Sequence, residues 1–276
     1  MTLSSQTAIN FCPTGMVPTK AMTPHVPISV SEIIEEVHQA YEIGITIAHL
    51  HARDEQGAPT HLKSVNQQIF EGIRKHCPDL IICASSSGRL VQDFESRSEV
   101  IELQPDMCSL TLSSLNFMHS ASVNSPDIIK QLLDKMNQYH VVPELECFDL
   151  GMINYGNYLI EKGVIKGLKY WNLLFGNIAG MQADLNTVST ALNQIKQDEN
   201  TYISLAGLGN NQFKTNQIAV LNNFGVRIGL EDNIWFDEKR SKLATNMDLL
   251  KRIHSIMEIN EKQLFSSSQF RQTYFN

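Results

Sequence analysis

The sequence predicts a (β/α)8 barrel, and three observations carry the prediction. Eight short apolar runs recur along the chain, each followed by a stretch with helical spacing. No linker or composition break divides them, so one domain over residues 1–276 is expected, with a C-terminal tail from about residue 262. A chain of 276 residues can also bury about three quarters of its unfolded surface, enough for one large core. Eight parallel strands, each followed by a helix, close into such a barrel. A doubly wound open sheet is the alternative, but it needs no eighth unit.

The first strand is expected at Thr7–Cys12, where Pro13 stops it. The Pro-, Thr- and Gly-rich loop to Pro27 is too long for a simple connection and is a candidate to line a site. Ser29-Val-Ser-Glu32 reads as a capping box, and Ile33, Ile34, Val37 and Tyr41 continue with helical spacing to Gly44. Ile45–His51 reads as a strand buried on both faces, and a second box, Ser64-Val-Asn-Gln67, opens a helix to about His76. Leu80–Ser85 is the third strand, with a helix over about 93–103; Met107–Leu112 is the fourth. Ser125-Pro126 supplies an N-cap and a first-turn proline for a helix to about Tyr139. Strands are then expected at Val141–Cys147, Tyr170–Phe175, Tyr202–Ala206 and Val226–Leu230. Their helices are expected at 151–162, 183–197, 212–223 and 240–258. The polar, aromatic tail is suited to cap the barrel floor or to meet another subunit.

Composition is that of an ordinary soluble enzyme. A net charge of -7 gives no electrostatic reason to expect nucleic acid or an anionic membrane as partner. The five cysteines form no C-x-x-C pair, and four lie in or beside apolar runs, which fits a reducing cytoplasm. Met-Thr-Leu-Ser-Ser-Gln at the start has no basic region followed by an apolar one, so no signal peptide is expected. No run of about 18 apolar residues is present to span a bilayer.

In such barrels chemistry sits at the C-terminal ends of the strands, and polar side chains collect there. Strand two ends in His49-Leu-His51, and alternation turns both imidazoles to one face. They can bind one divalent metal if another strand adds a ligand, or be hydrogen-bonded polar residues near a core. Strand eight reads Val226-Arg-Ile-Gly-Leu-Glu231-Asp232. Its apolar trio should face the helices, so Arg227 and Glu231 project inward, as a buried ion pair or with Glu231 completing a catalytic zinc set. Asp232 is placed as a base or as an orienter of Arg227. On strand five Glu144 and Glu146 share an inward face and repel unless a cation, metal or proton relieves them. Either can hold a histidine or Arg227, and Glu146 is favoured for a site role. Strand four carries Ser109 and Thr111. Strand three ends in Ser85-Ser-Ser-Gly88-Arg89, a turn suited to a carboxylate or phosphate, or simply a helix N-cap turn. Glycine loops after strands six and seven are weaker signals.

Thr14-Gly15 with Thr19-Lys20, His49-Leu-His51 with Arg53, Ser85-Ser-Ser-Gly88, Pro143-Glu-Leu-Glu146, Gly151-Met152 and Gly229-Leu-Glu-Asp-Asn233 together resemble the β-keto acid cleavage enzyme family. That family includes 3-keto-5-aminohexanoate cleavage enzyme. The motifs keep one order from about Ala8 to Trp235. The resemblance implies a zinc-dependent barrel that swaps acyl groups between a β-keto acid and acetyl-CoA, giving acetoacetate and a new acyl-CoA. It implies one divalent metal per chain on His49, His51 and Glu231. It further implies that Ser85, Gly88 and Ser109 contact the acetoacetate-like part of the substrate, and that Arg227 and Asp232 serve the chemistry. Val17 stands where the aminohexanoate enzyme has an acid for the substrate ammonium, and Arg89 can add a charge near the mouth. Both departures point to a β-keto acid whose distal part is uncharged or anionic. A homo-oligomer is expected. The rival readings are a metal-dependent aldolase or lyase that needs no CoA, and a non-catalytic metal- or metabolite-binding barrel.

Overall fold

The computed structural model describes residues 6–275. Residues 1–5, where no signal peptide is expected, and Asn276 at the end of the tail lie outside the described residues. Among the described residues a closed barrel is formed by β1 (Ile9–Phe11), β2 (Ile47–Leu50), β3 (Ile81–Ala84), β4 (Met107–Thr111), β5 (Val142–Cys147), β6 (Lys169–Phe175), β7 (Thr201–Gly207) and β8 (Gly225–Ile228). The strands pair in parallel in chain order, and β8 closes the ring against β1. Outside them lie α1 (Val30–Ile43), α2 (Lys63–His76), α3 (Phe94–Ser98), α4 (Pro126–Gln138), α5 (Leu150–Glu161), α6 (Leu185–Gln194), α7 (Asn211–Leu221) and α8 (Asn246–Ile259). This is the predicted (β/α)8 barrel.

Most elements start where a short polar side chain satisfies the first free N–H groups. Ser29 and Glu32 close the expected capping box, and Ser125, Asp149 and Asp184 cap α4, α5 and α6. Four expectations need correction. The helix expected over about 93–103 is α-helical only over Phe94–Ser98 and tightens into a 3-10 helix over Glu99–Leu103. The box at Ser64 does not form: α2 already begins at Lys63, with Leu62 at the N-cap and no side-chain cap, so Ser64 lies within the first turn. β8 ends at Ile228 rather than Leu230, because the chain turns back there and Asp232 N and Asn233 N donate to Gly229 O. The last outer helix starts at Asn246 rather than near 240, where a capping box of Thr245 and Asp248 sets its end. Residues 237–242 instead form a turn in which the Asp237 carboxylate accepts from Ser241 N and Lys242 N.

The apolar side chains divide between two places. One set, including Ile33, Val37, Ile69 and Leu249, packs between the helices and the outer face of the strands. The other fills the barrel floor: Ile47, Ile81, Met107, Tyr170 and Tyr202 with Phe265 and Phe270. The tail caps this end. Gln263–Leu264 pairs in parallel with Gln6–Thr7, and α9 (Ser267–Tyr274) follows. Tyr202 meets Phe270 edge-on with centroids 4.9 Å apart, and Ser267 Oγ donates to Thr46 O at 2.7 Å. Each large side chain buried here contributes roughly 1.5–3 kcal/mol and closes the floor to water. No helix among the described residues is long and apolar enough to cross a membrane.

Candidate active site

One step above the apolar floor the barrel interior becomes polar. His49, the third residue of β2, is buried, and its Nδ1 lies 2.7 Å from Glu144 Oε2. The same carboxylate accepts from Asn10 Nδ2 at 2.7 Å, Asn172 Nδ2 at 3.0 Å and Cys83 Sγ at 3.2 Å. Burial pushes Glu144 up, but the facing imidazole outweighs it, with help from Arg227 and the Cys83 bond, and holds it at about 2. An ionised carboxylate only accepts, so His49 Nδ1–H donates and Nε2 is left facing the barrel mouth. There it lies 3.3 Å from His51 Nε2. Burial lowers the pKa of His51, a shift that Glu231 opposes without reversing, whereas at His49 the pull of burial is outweighed by Glu144 and the pKa is raised.

Glu231 completes the convergence. Its Oε1 lies 3.2 Å from His51 Nε2 and 2.8 Å from Arg227 Nη2. Its Oε2 is buried and has no hydrogen-bond partner. Two imidazole nitrogens and a carboxylate with an unpartnered oxygen, within 4.8 Å of one another, are a donor set that fits a divalent metal. His49, Cys83 and Glu144 are also close enough together to hold an ion, but they are already spent on each other. Burial also raises the Cys83 pKa well above the usual range and keeps it a thiol. Gly15, at φ +63°, lets the long first loop lie across Glu231, where an added Cβ would stand 2.4 Å from Glu231 Cγ.

Arg227 ties the acids together. It donates from Nε to Asp232 Oδ2 at 3.1 Å and from Nη1 to Glu146 Oε1 at 3.4 Å, besides its pair with Glu231. Burial raises Asp232, with Glu231 adding to the rise and Arg227 opposing it. Glu146 is likewise raised by burial and by Glu144, and accepts from Thr111 Oγ1 at 2.8 Å.

These groups line a cavity of about 140 Å³ at the mouth, whose wall includes Val17, Ser85, Arg89, Phe117 and Phe148. Eight of the ten expected site residues therefore meet around one space: His49, His51, Glu231, Asp232, Arg227, Glu146, Ser85 and Val17. Gly88 and Ser109 stand outside its lining. Ser109 Oγ accepts from Ser86 N at 3.1 Å, and Gly88 is pressed so close to Arg97 that a Cβ would lie 2.6 Å from its Nη1. On β4 it is Thr111, one inward rung higher, that reaches the cavity. Lys20 turns away to pair with Glu32 at 2.7 Å. Asn10 and Asn172 were not singled out from the sequence; strand alternation places them inward, but nothing local shows that they close on Glu144.

The chain matches the family model described as beta-keto acid cleavage enzyme over residues 6–275. It is 31% identical over 260 residues to 3-oxoadipate:acetyl-CoA acetyltransferase of Cupriavidus necator, covering 94% of this chain and 90% of that one. It is 31% identical over 256 residues to 3-keto-5-aminohexanoate cleavage enzyme of Fusobacterium nucleatum, covering 92% of each. It is 27% identical over 294 residues to 3-dehydrocarnitine:acetyl-CoA trimethylamine transferase of Rhizobium meliloti, covering 98% of this chain and 97% of that one. Among solved structures, a ternary complex of ObcA with a C4-CoA adduct and oxalate shares the fold. Its TM-score is 0.78 at 17% identity, over 93% of this chain and 68% of that one.

Proposed function

The chain belongs to the beta-keto acid cleavage enzyme family, and on that premise we propose that it is a zinc-dependent acyltransferase working on a β-keto acid and acetyl-CoA. The products are acetoacetate and a new acyl-CoA. The observation that carries this reading is the convergence of His49 Nε2, His51 Nε2 and a Glu231 carboxylate that still has an unpartnered oxygen. Those three residues would hold zinc, one ion per chain, and the ion would supply Lewis-acid polarisation of the substrate's keto and carboxylate oxygens.

The remaining roles fall to the chain's own side chains. Asp232 takes the proton from C2 of the keto acid, and Arg227, bonded to it, keeps its carboxylate aimed and offsets negative charge that develops nearby. Glu146, held by Thr111 and Arg227, lines the same cavity. Ser85 contacts the part of the substrate that leaves as acetoacetate, and Ser109 and Gly88 act on that contact by fixing the Ser85–Arg89 turn, Ser109 through Ser86 N and Gly88 by its close packing on Arg97. C2 bonds to the acetyl carbon as CoA thiolate leaves. The thiolate then takes the distal acyl group as the C2–C3 bond breaks, and the proton returns to C2.

Val17, apolar and part of the cavity wall, supports a substrate whose distal part carries no positive charge. Five free, buried cysteines are in keeping with a cytoplasmic, reducing setting, and the reading includes a homo-oligomer. The test is acyl-CoA formation from acetyl-CoA and a panel of β-keto acids, beside a control without CoA. Turnover that requires acetyl-CoA is the expected result. Cleavage without CoA would make the protein a lyase, and metal binding with no turnover would make it a binding protein.

A further inference from the structure

Of the arginines around the mouth, three are fully engaged. Arg227 pairs with Glu146, Glu231 and Asp232. Arg53 donates to Gly15 O, Pro18 O and Gly57 O, and Arg97 to Ser86 O, Val123 O and Asn124 Oδ1, so both brace loops. Arg89 is different. It is half-buried in the cavity wall, and its Nε donates to Ser120 Oγ at 2.9 Å. Among the described residues neither Nη atom has a hydrogen-bond partner and no carboxylate pairs with it.

Its position is nevertheless set. The guanidinium lies 4.0 Å from the centroid of Phe117, which meets Phe148 edge-on at 5.6 Å and sits beside the small hairpin Leu115–Asn116 and Ala121–Ser122. A guanidinium stays charged at any working pH, so a partly desolvated, pre-oriented one with free N–H groups is a receptor for an anion. The same cavity is lined by Val17 and Met16, which offer nothing to a cation, and its three carboxylates already pair with Arg227. The diphosphate of CoA is a poor candidate for this place, because it lies a whole pantetheine arm from the thioester that must reach the same cavity.

We propose that Arg89 determines specificity at this site and that the substrates are β-keto acids with a second, distal carboxylate, which the Arg89 guanidinium receives. This rests on the acyl-exchange reading above. The experiment compares a β-keto dicarboxylic acid with its ω-amide of equal length and with an amino-bearing β-keto acid. The wild-type protein, Arg89→Ala, Arg89→Lys and Arg89→Glu are measured for kcat and KM separately. Wild type should prefer the dicarboxylate. In Arg89→Ala the ratio of kcat/KM for dicarboxylate over amide should fall roughly 10- to 100-fold, mainly through KM, the loss expected for one charge-assisted contact. Arg89→Lys should recover part of that ratio, and Arg89→Glu should shift preference toward the amino-bearing acid.

Binding of the matching β-hydroxy dicarboxylic acid and its ω-amide, read by calorimetry on wild type and Arg89→Ala, separates the two readings. A dicarboxylate preference that Arg89→Ala abolishes, in a protein that turns over no β-keto acid, would sink the reaction and keep the anion site. An unchanged ratio, a wild-type preference for the neutral or amino-bearing acid, or a rise only in the KM for acetyl-CoA would overturn the role of Arg89 and leave the reaction standing.

Discussion

At the floor of the barrel the inward side chains are Ile47, Ile81, Met107, Tyr170 and Tyr202; two residues further along the same strands they are His49, Cys83, Ser109, Asn172 and Ser204. The two rungs share a backbone and a ring of parallel pairing, yet they follow opposite rules. At the floor, burial is enough, and aromatic faces seal the end with help from α9. Above it, burial is a cost that each polar group must offset, and Glu144 does so with contacts from His49, Asn10, Asn172 and Cys83. The floor makes the upper rung valuable. With water excluded from below, charges at the mouth feel each other strongly and open only toward the substrate side.

The comparison is broken most severely at the mouth. His51→Ala should lose the metal, by elemental analysis, and roughly 10⁴-fold in kcat/KM, the several kcal/mol that Lewis-acid chemistry supplies. Full retention of metal would remove this ligand set. Asp232→Asn takes away a base but no ligand, so metal content should stay while kcat falls roughly 10³-fold. Unchanged turnover would move the base elsewhere, Glu146 being the next carboxylate on the cavity.

A cut at the floor should read out differently. Phe270→Ala removes a fully buried ring from the aromatic seal and should lower unfolding stability by about 3–5 kcal/mol in denaturant titration. Its KM for the keto acid should hardly move below the transition. A KM change with intact stability would mean that floor and mouth are coupled after all. The mildest cut lies between them. Glu144→Gln keeps the shape but loses the ionised acceptor behind His49, and should weaken metal affinity about 10- to 100-fold in competition with a chelator. Unaltered affinity would show that the neutral amide orients the ring equally well.

How much of this was legible follows the same division. Alternation along a strand is local, so it put His49 and His51 on one face and turned Arg227 inward before any fold was known; the same reasoning turned Glu231 inward, but β8 ends at Ile228 and it is the turn at Gly229 that brings Glu231 beside Arg227. Glu144 and Glu146 looked alike on that criterion, and Glu146 was favoured. The structure separates them by height: Glu146 opens on the cavity beside Arg227, and Glu144 lies beneath His49. Ser109 and Thr111 show the same ambiguity on β4. The tail was open between two uses, because aromatic residues fit a barrel floor and a subunit contact equally well.

By itself, then, the sequence determined the repeat of strand and helix, the number of units, and the face on which each strand-end side chain lies. These depend on hydrophobic period and on capping residues a few positions apart. Only the tertiary structure decided which rung of each strand stands at the mouth, which acid meets which histidine, and that Arg89 has no acid among the described residues to pair with. Those depend on the stagger between strands around a closed ring, and a stagger is set by contacts between residues far apart in the chain, such as Glu144 with Asn10 and Thr46 with Phe265.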